Sequence, residues 1–218
     1  MVEKLKQNEL ISGLTHLAGA ILSVVALGLL LHIGITNGGT AHIVGFSIFG
    51  ASLILLYVAS TVYHLIPIPS KLKQIFRRVD HAMIYVLIAG TYTPICLVPL
   101  WGAWGWTLLA VIWSLAITGV VIKAFWIKIP GWLSGLIYLG MGWLAVLALP
   151  VMFDLMPING VWWMLAGGIF YSVGVIFYAL EKVLKPIKWF GMHEIFHIFV
   201  LAGSFSHFWM MWKYIAVL

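Results

Sequence analysis

Residues 132–153 read WLSGLIYLGMGWLAVLALPVMF, a run of 22 positions without one charged side chain. A helix at a protein–water boundary keeps a polar face, whereas this run is apolar on every side. As a helix it is about 33 Å long, which covers a hydrocarbon core of about 30 Å. It lacks the two-residue alternation and the ~10-residue length of a barrel strand. The stretch is a transmembrane helix, and the rest of the chain is judged against it.

The composition generalises this reading. Of 218 residues, 63% are apolar and only 8% charged, with a mean hydropathy of +1.10. A soluble domain carries about 25% charged residues. A soluble enzyme, a disordered chain and a nucleic-acid module are excluded, despite a net charge of +6. Breaks in hydropathy give seven spans, at 13–35, 41–65, 80–99, 105–125, 132–153, 161–181 and 190–214. Seven spans use about 140–165 residues, leaving short loops in one domain over 1–218. The expected class is an all-α integral membrane protein, a seven-transmembrane helix bundle. The first run is too long for a signal-peptide core and has no small-residue cleavage site after it, so it reads as span one. The single Cys96 permits no internal disulfide and fits no cysteine-based metal site.

The basic residues set the orientation. Lys4 and Lys6 precede the first span. Lys71, Lys73, Arg77 and Arg78 lie between the second and third, Lys123 and Lys128 flank the turn between the fourth and fifth, and Lys182, Lys185 and Lys188 lie between the last two. Only Lys213 is at the other side, so eleven of the 12 cations share one face. By the positive-inside rule that face is cytoplasmic, with the N-terminus inside and the C-terminus outside; six or eight spans would destroy the asymmetry. Trp101, Trp104, Trp106, Trp162, Trp163, Trp209 and Trp212 gather near the outer ends, and Trp126, Trp132 and Trp189 near the inner ones, as interfacial anchors do. Gly131 and Gly135 form a small-xxx-small pair that reads as close helix packing, with homo-oligomerisation as its other use. The expected location is the cell membrane, a bacterial inner or plasma membrane, with membrane lipids as partners.

Ionisable residues inside spans are costly and mark function by default. Here they are His16, His64, Asp80, His81, His193, Glu194, His197 and His207; His32 and His42 border the outer side and read as interfacial. His64 ends span two, Asp80 and His81 open span three, and His193, Glu194 and His197 open span seven. Three spans thus place polar groups at one depth, just inside the cytoplasmic boundary. His193 and His197 are four apart and share a helix face. His64 at equal depth supplies a third nitrogen, and three His with one open position make a catalytic type of zinc site. Asp80 could orient or deprotonate a water there, or bind the free N–H of a ligand His. Ser60, one turn before His64, could join them, or simply bond back to the Leu56 carbonyl. His16 and His207 read as hydrogen-bonding partners across helices.

His193–His197 also matches H-E-x-x-H, in which the Glu is the general base of a metalloprotease. The motif lies in the last span, so any further ligand must come from earlier in the chain. Glu194 then faces the cytoplasmic interface or a basic loop residue such as Lys188.

Taken together, Ser60-x-x-x-His64, Asp80 and His193-x-x-x-His197 on seven N-in spans resemble the progestin and adipoQ receptor family. The words Glu9-Leu-Ile-Ser12-Gly-Leu-Thr-His16, Ser60-Thr-Val-Tyr-His64, Arg78-Val-Asp80-His81 and His193-Glu-Ile-Phe-His197 are most similar to its bacterial branch, the hemolysin III type proteins. The resemblance covers essentially the whole chain. It implies a zinc ion on His64, His193 and His197, Asp80 holding or activating the water, and Ser60 beside it. Glu194 falls on a variable position of that pattern. Eukaryotic relatives act as receptors to which ceramidase activity is ascribed; the bacterial branch is linked by name to haemolysis and by proposal to membrane homeostasis. No counterpart of the eukaryotic N-terminal domain precedes span one, so their hormone ligands are not expected. Three functions follow: a zinc hydrolase of lipid amides or esters, a membrane-state sensor with structural zinc, and a pore-forming haemolysin. The last is disfavoured, because a secreted pore former must first dissolve in water.

Overall fold

The computed structural model describes residues 7–67, 69–125, 130–181 and 190–218, and among these there is no strand. The helices are α1 (Gln7–Thr36), α2 (Thr40–Leu65), α3 (Ser70–Leu97), α4 (Ala103–Phe125), α5 (Gly131–Trp143), α6 (Leu149–Leu155), α7 (Ile158–Leu180) and α8 (Met192–Met210). A 3₁₀ segment, Leu144–Ala148, joins α5 to α6, and a π turn, Met211–Ile215, follows α8. Six stretches are long and apolar enough to cross a membrane: α1, α2, α4, α5 through α6, α7, and α8 with its π turn. The charge readings at Lys4, Lys6, Lys128, Lys182, Lys185 and Lys188, and those of Trp126 and Trp189, lie outside the described residues.

Alternation up and down is visible at the two ends of the bundle. At one end, Lys73 of α3 pairs with Glu9 of α1 at 2.9 Å, Arg78 donates to the Ala124 carbonyl at the close of α4, and Lys123 donates to Ser134 of α5. At the other, His42 at the start of α2 meets the Ile215 carbonyl, and Gly160 of α7 packs on Tyr214. Packing runs α1–α2–α3–α4, with α7 on α8, α8 back on α1, and α5 set between α3 and α7.

Two expectations change. The connection expected at 66–79 is mostly helix, because α3 begins at Ser70. Its Lys, Arg, Gln and Leu residues are good helix formers; their charge interrupts hydropathy, not the backbone. The same polar first half keeps α3 out of the six apolar stretches, although Ala89, Tyr92, Thr93, Ile95, Cys96 and Leu97 make its second half a buried part of the bundle. The expected span 132–153 is broken by the 3₁₀ segment. Pro150 lacks an N–H and crowds the carbonyl four residues back, so the preceding turn tightens. Tyr92 satisfies the freed backbone: its hydroxyl donates to the Gly142 carbonyl (2.6 Å) and accepts from the Ala145 N–H (2.7 Å). A break inside a bilayer needs such a partner.

The small residues of α5 act within the chain. Gly135 lies against Val175 and Gly131 near the Tyr178 hydroxyl, so the pair seats α5 on α7. His42 is buried rather than interfacial: Nδ1 accepts from the Gly39 N–H, and Nε2–H donates to the Ile215 carbonyl.

Candidate metal centre

His64, at the end of α2, and His193 and His197, in the first turns of α8, converge. One ring nitrogen of each lies within 4.8 Å of the others, so the three could hold a metal ion. Second contacts decide which nitrogens. His193 Nδ1–H donates to Glu181 Oε2 at 3.2 Å, and His197 Nδ1–H donates to the Ser12 carbonyl at 3.1 Å. Both Nε2 lone pairs are thereby left for the centre, as outer-shell partners of metal-bound His commonly arrange. Nε2 of His193 and Nε2 of His64 are 3.3 Å apart. The hydrogen bond from His193 holds the Glu181 carboxyl below its usual range.

Two cavities meet at this point. An apolar one of about 140 Å³ rises inside the bundle, touching Ser60, Asp80, His193 and His197 at its base and Leu165, Val200 and His207 above. A polar one of about 380 Å³ opens at the basic end and is lined by Glu9, Arg77, Glu181 and Glu194 among others. His81, Tyr178 and His193 border both. A group held at this junction has an apolar slot on one side and a polar vestibule on the other.

Asp80 and Ser60 line the base of the apolar cavity, both buried. The Asp80 carboxylate lies 3.2 Å from Nδ1 of His81, without hydrogen-bond geometry. The back-bond from Ser60 to Leu56 is not made: Ser60 Oγ has no partner. Thr61, Thr91 and Thr93 do bond the carbonyl one turn back, and Ser12, Ser134 and Ser204 find side-chain partners instead, whereas Ser60 has neither. Buried groups without partners in a native fold call for an ion, a water or a ligand. Among the described residues, the fully enclosed side-chain atoms without a partner mostly gather around this point: Ser60 Oγ, both ring nitrogens of His16, Nδ1 of His64 and Nδ1 of His81, with Arg78 Nε besides.

Glu194 is not placed as a protease base. Oε1 accepts from Ser12 Oγ at 2.8 Å and Oε2 from the Gly191 N–H at 2.6 Å, which caps α8 and latches it to α1. The alternative partner Lys188 lies outside the described residues. His16 does not hydrogen-bond across helices; its ring stacks on His197, centroids 3.6 Å apart and planes 6° off parallel. His207 bonds its own helix, at the Gly203 carbonyl. Glu181 escaped the sequence reading. The chain has only 6 acids, and four of them, Glu9, Asp80, Glu181 and Glu194, line the two cavities. That scarcity was the available clue.

The fold and this site define a polytopic helical membrane protein with a three-histidine centre near one face. Residues 5–208 match the model of the haemolysin-III related family, and the chain belongs to that family. It is 42% identical over 209 residues to hemolysin-3 of Bacillus cereus, covering 96% of this chain and 92% of that protein. It is 44% identical over 202 residues to the hemolysin-3 homolog of Bacillus subtilis, covering 93% and 92%. Human monocyte to macrophage differentiation factor, a distant relative in the progestin and adipoQ receptor family, is 27% identical over 176 residues, 77% of this chain and 69% of that protein. The chain is a multi-pass cell-membrane protein.

Proposed function

We propose that this chain is a zinc-dependent hydrolase of lipid amide or ester bonds that acts in membrane homeostasis. The observation that carries the reading is the placement of three converging His, a buried Asp80 and an unbonded Ser60 where an apolar cavity meets a polar vestibule. Zinc suits the donor set. Tetrahedral zinc with Zn–N near 2.0–2.1 Å spaces its nitrogens about 3.3–3.4 Å apart, and His64 and His193 offer theirs at 3.3 Å. Neutral imidazoles also add no charge of their own at membrane depth. Bound there, zinc would polarise a carbonyl and lower the pKa of a water.

The remaining tasks fall to the chain. His64, His193 and His197 hold the ion, while Glu181 and the Ser12 carbonyl fix two of the rings. Asp80 accepts the proton of the attacking water, and Ser60 Oγ holds that water or the carboxylate by a hydrogen bond. The apolar cavity takes the acyl chain, and the vestibule releases the polar product. Lipid extracts of a deletion strain and of the strain complemented with wild-type protein test this. An amide- or ester-linked lipid is expected to accumulate in the deletion, with its hydrolysis products restored on complementation. Identical lipid profiles would count against hydrolysis.

In the same reading α3 is the seventh crossing, the N-terminus is cytoplasmic and the C-terminus outside. The alternation of helix ends supports this, as does the basic residues' bias to one side. Reporter fusions are expected to place the N-terminus and the segments 66–79, 126–131 and 182–189 in the cytoplasm and Leu218 outside. A cytoplasmic Leu218 would sink the seven-span topology.

A further inference from the structure

Ten residues beyond His197, about 15 Å further along α8, the apolar cavity meets a second polar group. His207 is 94% buried, with 6% of its surface exposed, and it lines that cavity. Its ring lies against Gly167 of α7, where any Cβ would collide with the imidazole, and stacks on Tyr171 with centroids 5.5 Å apart. Nδ1–H donates to the Gly203 carbonyl at 3.0 Å. Nε2 therefore carries the lone pair, and it has no partner among the described residues.

Beside it, three hydroxyls lie together, and the Val200 carbonyl is a second, longer partner for Tyr57 at 3.5 Å. Tyr57 donates to Ser204 Oγ at 2.7 Å, and the oxygens of Ser204 and Tyr171 are 3.0 Å apart. Those two bonds use two of three protons. When Ser204 donates to Tyr171, the spare proton is that of Tyr171, which lines the cavity as His207 does. With Ser204 donating in this way, the deep end presents one acceptor, His207 Nε2, and one donor, Tyr171 O–H. A hydroxyl both donates and accepts, so it satisfies the pair; a methylene satisfies neither, and a ketone only the donor.

We propose that the deep end of the cavity binds a hydroxyl carried on the hydrocarbon chain of a lipid, about 15 Å from the three-histidine centre. This rests on the reading that the cavity holds an acyl chain. An unfilled buried acceptor costs more than the bond itself gains, so the pair discriminates against unsubstituted chains.

The test uses the full-length, zinc-loaded protein in detergent and three probes: octadecanoic acid, its 2-hydroxy derivative and its 12-hydroxy derivative. Each competes against radiolabelled octadecanoic acid. In an extended chain the 12-hydroxyl lies roughly 14 Å from the carboxylate, close to the span of the cavity. The 12-hydroxy acid is expected to bind roughly tenfold tighter than the other two. Tyr171→Phe and His207→Phe are each expected to keep zinc content and to erase that preference, chiefly by raising the affinity for octadecanoic acid, whose chain no longer leaves a polar group unfilled. Should one variant lose its zinc, the other decides, and the wild-type ranking of the three acids stands independently of both. Equal binding of the three acids overturns the proposal, marks the pair as a water site only, and leaves the lipid reading intact. A preference that survives both variants also overturns it. A zinc-loaded protein that binds none of the acids overturns this proposal and the lipid reading together.

Discussion

Replacing His64, His193 or His197 by Ala is expected to take the metal content of purified protein from about one zinc per chain to near zero. Each side chain supplies a third of the protein's hold on the ion, and an open three-His site has no spare ligand. His16 does not replace them, because its ring is stacked parallel on His197 rather than aimed at the shared centre. Second contacts set the scale for a milder loss. Glu181→Gln weakens the acceptor that orients His193, and outer-shell changes typically cost 10–100-fold in affinity. Zinc titration against a competing chelator is expected to rank the proteins as wild type, then Glu181→Gln, then the three Ala variants. Glu194→Gln is the control. It leaves Ser12 or the Gly191 N–H without its acceptor, at about 1–3 kcal/mol of stability, yet keeps zinc and turnover. If Glu194→Gln abolished turnover while His64→Ala retained zinc, a zincin mechanism would replace the one given above.

Asp80→Asn is expected to keep zinc and fold while hydrolysis falls about 10²-fold or more, the usual scale for a lost general base. The substitution preserves shape and one acceptor oxygen but removes the charge and the proton acceptor. The three His already fill the protein half of an open site, so the ion does not need the carboxylate to stay. A structural role for Asp80 predicts the opposite pattern: zinc or folding is lost, with no separate activity to lose. Metal content, thermal stability and lipid turnover must come from one preparation. A variant with normal zinc, normal stability and unchanged lipids would remove the hydrolase mechanism and leave a metal-stabilised membrane sensor.

The three-histidine cluster was legible because depth in a bilayer is a coordinate that sequence carries. Counting along the spans from their basic ends puts His64, His193 and His197 at one level, and α-helical spacing puts the last two on one face. What depth cannot give is the angle around the bundle. For that reason Glu194, at ligand depth, could be mistaken for a base, and His16 for a hydrogen-bonding residue. Ser60 shows the limit from the other side: a serine in a span usually bonds back to its own helix, and only the fold reveals that this one does not. The start of α3 was misplaced because hydropathy reports where lipid begins, not where a helix does. The break in span five did leave a mark, Pro150, but its partner Tyr92 lies far away in sequence and carries no local sign.

The latch between α1 and α8 has a bearing on how the protein is made. Ser12 and Glu194, which bond each other, are 182 residues apart, and the Ser12 carbonyl that orients His197 is 185 residues from it. A ribosome delivers the first partner 182 residues before the second. Until α8 is made the nascent chain holds only His64 of the three converging histidines. In the proposed zinc reading, loading therefore waits until α8 has been made and has packed against α1.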